Sequence, residues 1–124
     1  MAKLHFFYST MNAGKSTALL QSNHNYLESG LKTMLFIPHE IGNKSKGKII
    51  SRIGLEADAV IVNKDYDFYI EVEKTNFKEI SCIFIDEAQF LSRNQVHSIG
   101  KIADELNIPV MCYGIRTDFQ GMLF

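Results

Sequence analysis

Short runs of consecutive apolar residues alternate with helix-period segments along this 124-residue chain. Residues 4–8 are apolar and aromatic and read as a buried strand. Residues 9–14 are a small-residue turn. Over residues 16–29, Leu19 with Tyr26 and Leu20 with Leu27 recur seven positions apart, a helical face. Gly30 stands where a helix C-terminal glycine belongs. Residues 33–37 form a second apolar run, stopped by Pro38, and residues 42–47, without an apolar side chain, read as a loop. Residues 59–62 predict a third strand, 65–75 a short helix and 81–85 a fourth, almost uniformly apolar strand. Val96, Ile99, Ala103 and Leu106 form one stripe of a helix over 93–106, ended by Asn107. Residues 110–113, after Pro109, predict a fifth strand.

Strands that are apolar at consecutive positions are covered on both faces. Strand–helix alternation therefore predicts a single α/β domain over 1–124, with a mostly parallel sheet flanked by helices and right-handed crossovers. Strand order is not readable from the pattern.

Composition narrows the function classes. Hydrophobic residues make up 46% and the net charge is 13 − 14 = −1, a globular profile with no basic stripe. That argues against a nucleic-acid or anionic-membrane partner. Cys82 and Cys112 sit in apolar runs, with no Cys-x-x-Cys pair to build a zinc ribbon. No signal peptide and no membrane-length apolar run is seen, so the expected compartment is the cytoplasm.

Two motifs carry chemistry. Ser9-Thr10-Met11-Asn12-Ala13-Gly14-Lys15-Ser16 follows a predicted strand and opens a predicted helix. That context suits a phosphate-binding loop, whose inward N–H groups and helix N-terminus attract anions. Gly14 allows close approach, Lys15 can reach the β- and γ-phosphates, and Ser16 can ligate Mg²⁺. Ser9 stands where the usual pattern has glycine. The plainer alternative is a capped helix N-terminus with a surface lysine. The second motif is Cys82-Ile83-Phe84-Ile85-Asp86-Glu87, an apolar strand running into two carboxylates. In open α/β sheets ligands bind beyond the carboxyl ends of the strands, so the two motifs should meet at one edge. One acid there can hold Mg²⁺ and its neighbour can act as a base. Two acids at a helix N-terminus are the alternative.

Three strings together resemble one family: residues 8–17, then Ile85-Asp86-Glu87-Ala88-Gln89-Phe90, then Tyr113-Gly114-Ile115-Arg116-Thr117-Asp118-Phe119-Gln120. They are similar to the zinc-containing type II thymidine kinases of bacteria and phages, P-loop NTPases with a RecA-like core. The resemblance implies ATP and Mg²⁺ as cofactors and thymidine as substrate. It implies nucleotide contacts at Ser9, Met11, Asn12, Ala13, Gly14, Lys15, Ser16, Thr17, Asp86 and Gln89. Ser16 would bind Mg²⁺ directly and Asp86 through water. Glu87 would be the base that takes the 5′-hydroxyl proton. Met11, Phe90, Phe119 and Phe124 would enclose the thymine ring in an apolar slot. For Met11 and Phe90, taken singly, core packing is the rival reading.

The resemblance also implies a homotetramer. Lys44 stands where the family usually carries an arginine, and Lys44, Lys46 and Lys48 read equally well as a solvated loop. The family continues into a zinc module and a loop over the nucleoside. Both are expected beyond Phe124, which places no zinc ligand in this chain. His5, His24, His39 and His97 lack metal-ligand spacing; Asp58, Asp65 and Asp67 read as solvated; Arg116 is a candidate phosphate contact. Two rivals to the kinase reading are an ATP-binding module without kinase activity and a RecA-like ATPase acting on DNA.

Overall fold

The computed structural model describes residues 2–9, 15–43 and 46–115, with Lys15 described by its backbone alone. Within these lie β1 (Leu4–Ser9), α1 (Lys15–Glu28), β2 (Lys32–Pro38), α2 (His39–Gly42), β3 (Lys48–Ile50), β4 (Glu56–Asp58), β5 (Val60–Val62), α3 (Phe68–Glu73), β6 (Ile80–Ile85), α4 (Arg93–Lys101) and β7 (Val110–Ile115). Five strands form an all-parallel sheet in the order β1-β7-β6-β2-β5, and β3 pairs with β4 as a separate antiparallel hairpin. The predicted α/β architecture is the observed one. No helix among the described residues is long and apolar enough to cross a membrane.

The central strands explain why the sheet is covered twice. Along β6, Ile83 and Ile85 pack with Phe68, Val72 and Ile99 of α3 and α4. The alternate residues Cys82 and Phe84 pack with Leu19 and Leu20 of α1 and Ile49 of β3. Successive strand side chains point to opposite faces, so a continuous apolar run needs a layer on each side. Strand β1 departs from this. Among the described residues it lies at the sheet edge beside β7 alone, and Phe7 is 43% exposed, stacked on Tyr113 at 4.9 Å. Its apolar sequence predicted a buried strand; its place in the strand order leaves it half covered.

Other boundaries moved for local reasons. Gly30 takes φ +79°, which lets the Leu31 N–H donate back to the Tyr26 carbonyl at 3.0 Å and ends α1 as expected. Leu27, placed on the apolar face by its spacing, is 52% exposed. Pro38 belongs to β2, and α2 follows at once, so Gly42 closes a helical turn and is buried against Ile37 and Ile61. The hairpin of β3 and β4 was not foreseen. The helix predicted over 65–75 shortens to α3 because Asp67 caps it, accepting from the Ile70 N–H at 3.1 Å. Asp67 is thus a structural cap, although exposed. After α4 the chain widens into π geometry over Ile102–Leu106, burying Ile102 and Ala103, and Asn107 ends it at φ +58°.

Two outcomes follow for stability. Phe36 is fully buried, edge-on to Phe68 at 5.1 Å. Phe36→Ala is expected to lower the unfolding free energy by about 3–5 kcal/mol, read as a drop in denaturation midpoint at unchanged slope. The Ile70 N–H, and secondarily the Ser98 hydroxyl at 3.0 Å, hold the Asp67 carboxyl below its ordinary value. A depressed folded pKa means the cap's contribution is complete above the unfolded carboxylate range and lost as pH falls through the folded value. The stability gap between wild type and Asp67→Ala, about 1 kcal/mol at neutral pH, should close on acidification; a gap independent of pH would contradict this.

Candidate active site at the carboxyl edge of the sheet

Three chain segments converge where β1, β7 and β6 end. Strand β1 ends at Ser9, in register with Ile115 of β7. Helix α1 begins six positions later at Lys15, leaving residues 10–14 between them, the span of a phosphate-binding turn. Strand β6 ends at Ile85, and the next N–H, that of Asp86, still donates to the Phe36 carbonyl of β2 at 3.0 Å. That bond carries Asp86 to the end of the sheet, where its residue is only 2% exposed.

The two motifs meet side chain to side chain. Ser16 Oγ donates to Asp86 Oδ2 at 3.0 Å, a contact between residues 70 positions apart. Asp86 Oδ1 accepts from the Glu87 N–H at 2.9 Å. A hydroxyl and a carboxylate side by side are hard oxygen donors, the set that suits Mg²⁺. The oxygens of Ser16 and Asp86 therefore fit a magnesium-bound nucleotide at the start of α1.

Glu87 is held in an unusual backbone. It takes φ +53° and ψ +44°, left-handed geometry that disfavours a residue with a Cβ. Its carbonyl accepts from the Phe90 N–H at 3.1 Å, which starts the 3₁₀ turn Ala88–Phe90. Gln89 Nε2 donates to Glu87 Oε1 at 2.7 Å, and Gln89 Oε1 accepts from the Ile115 N–H at 3.1 Å. The turn lies flat on β7: a Cβ at Gly114 would sit 2.8 Å from Gln89 Oε1 and 3.2 Å from Gln89 N. Backbone strain at a part-buried acid, kept in place by its neighbours, is of the kind that clusters at functional sites.

Phe90 is half-buried, and its carbonyl accepts from Lys64 Nζ, which also lies 3.4 Å from Glu40. Lys64 and Glu40 carried no signal in the sequence, because only the packing of β5 beside β2 brings them there. Gly114 was legible only as the second residue of the third string.

A sequence-family model described as thymidine kinase matches residues 2–124. This chain belongs to the thymidine kinase family. Over its whole length it is 53% identical to a thymidine kinase of Mesorhizobium japonicum, covering 62% of that protein. It is likewise 50% identical to one of Xanthomonas axonopodis pv. citri and 46% identical to one of Salmonella choleraesuis, covering 60% and 61% of them. The chain thus spans about three fifths of the length of these curated relatives.

Several residues expected to serve a thymidine kinase lie outside the described residues. These are Met11, Asn12, Ala13 and Gly14 in the turn, Lys44 in the later loop, and Arg116, Phe119 and Phe124 after β7. Ser9, Ser16, Thr17, Asp86, Glu87 and Gln89 are described, all at the ends of β1 and β6 or the start of α1. For zinc, no three His, Cys, Asp or Glu side chains converge among the described residues. Cys82 and Cys112 pack on opposite faces of the sheet and cannot share a metal. Burial pushes the Cys82 thiol up to about 11 and that of Cys112 up as well, so neither is a ready nucleophile.

The left-handed geometry of Glu87 yields a stability test. Glu87→Gly should be more stable than Glu87→Val by at least about 1 kcal/mol, since a β-branched side chain tolerates that backbone least. Equal midpoints in chemical denaturation would refute the constraint.

Proposed function

We propose that this chain forms the nucleotide-binding, base-bearing part of a thymidine kinase, which transfers the γ-phosphoryl group of ATP to the 5′-hydroxyl of thymidine. The observation that carries the reading is the Ser16–Asp86 hydrogen bond, which unites a phosphate-type turn with an acid after the fourth core strand. Mg²⁺ bound with ATP would offset the charge on the phosphates. Lys15 and the start of α1 would bind the phosphates; Ser16 would hold the metal directly and Asp86 through water. Glu87 takes the proton of the 5′-hydroxyl as that oxygen bonds to the γ-phosphorus. The bond from phosphorus to the β–γ bridging oxygen breaks, and ADP leaves. Met11, Phe90, Phe119 and Phe124 hold the thymine ring. Catalysis on this reading is mainly positioning and charge stabilisation, with proton removal added. A homotetramer and a cytoplasmic location belong to the same proposal.

Thymidine phosphorylation by the protein tests it. Glu87→Gln is expected to lower kcat by about 10²–10⁴-fold, while equilibrium ATP binding stays near wild type. Unchanged turnover would remove Glu87 from the base role. Asp86→Asn is expected instead to weaken ATP binding in the presence of Mg²⁺, with little change in its absence. An equal loss with and without Mg²⁺ would refute the metal role of Asp86.

A further inference from the structure

The Gln89 side chain has both ends engaged within the protein, and its orientation follows from donor chemistry. The Ile115 N–H can only donate, so the Gln89 atom facing it must be Oε1. The Nε2 end then faces Glu87 Oε1 at 2.7 Å, a charge-assisted contact with a carboxylate acceptor. A flipped amide would set two donors against each other at Ile115 and two acceptors at Glu87. The backbone of β7 therefore decides which way the amide points, and the amide decides where one carboxylate oxygen of Glu87 sits.

Gly114 makes this possible. A side chain there would overlap the Gln89 amide oxygen at 2.8 Å and crowd the Gln89 backbone nitrogen at 3.2 Å. The left-handed backbone of Glu87 fixes where its side chain departs, and the Asp86 carboxylate fixes its N–H. The Gln89 amide adds a contact at the carboxylate itself. Supporting groups of this kind hold reactive geometry within the narrow range that catalysis needs.

We propose that Gln89 is a positioning residue: its amide, oriented by the Ile115 N–H and seated on Gly114, aims the Glu87 carboxylate. The catalytic consequence rests on the reading of Glu87 as the base. On this reading Gln89 acts on kcat through Glu87, in place of the nucleotide contact that the family resemblance implied for it.

The test combines kinetics with a structural readout. Gln89→Leu is expected to lower kcat by about 10–100-fold and leave KM for ATP within about twofold. Gln89→Glu keeps an acceptor for the Ile115 N–H but sets a carboxylate against Glu87. It should be as impaired at neutral pH as Gln89→Leu; wild-type kcat in Gln89→Glu would mean that Gln89 only ties the turn to β7, and would overturn the proposal. If Gln89→Leu does not fold, Gln89→Glu and Gly114→Ala take its place, the latter expected to lose kcat because it displaces the amide. The structural readout is the Gln89 side-chain amide resonances, compared between wild type and Glu87→Ala by NMR. They should move while the Ile115 N–H stays protected from exchange; unmoved resonances would overturn the proposal. Should the wild type phosphorylate no nucleoside, the kinase reading fails, and these resonances still decide whether Gln89 holds Glu87.

Discussion

Strand β7 carries parallel ladders on both sides, to β1 from Leu4 to Ser9 and to β6 from Ile83 to Ile85. Adjacent strands lie about 4.8 Å apart, so one inserted strand separates β1 from β6 by about 10 Å. That gap is what the chain crosses between the end of β1 and the start of α1. The first turn of α1 lands over the end of β6, and Ser16 reaches Asp86. Without β7 between them the two motifs could not share a site in this way. With β7 in place, its last residues also serve as the floor on which the Ala88–Phe90 turn rests.

The carboxyl edge is therefore assembled by a few unlike constraints that agree. Asp86 is drawn to the end of the sheet by a backbone bond to β2, and it anchors both the α1 hydroxyl and the N–H of its neighbour. Glu87 is turned aside by a left-handed backbone, so two consecutive acids serve different partners. Adjacent residues on an extended strand would alternate between faces; the break at Glu87 instead puts its side chain within reach of Gln89. Polar groups in such a setting are strong only while each has its partner.

How much of this was legible in advance differs from element to element. The five strands of the main sheet were read within one or two residues, because each is a run of apolar side chains between turn residues. The β3–β4 hairpin was missed: three-residue strands such as Glu56–Asp58 are too short and too polar for any period to appear. Leu27 was placed on the buried face by spacing alone, yet α1 tilts it into solvent. Asp67 looked like surface charge because the helix predicted over 65–75 placed it inside the first turn rather than at the cap.

The sequence by itself determined the fold class, the small-residue segment between β1 and α1, and the acids that follow β6. Those are local properties: apolar runs, glycine and small residues, and charge at a strand terminus. Only the tertiary structure decided that β7 lies between β1 and β6, that Ser16 bonds to Asp86, and that Gln89 links Glu87 to Ile115 over a bare Gly114. Strand order and contacts between residues tens of positions apart depend on which faces pack together, and no window of neighbouring residues records that.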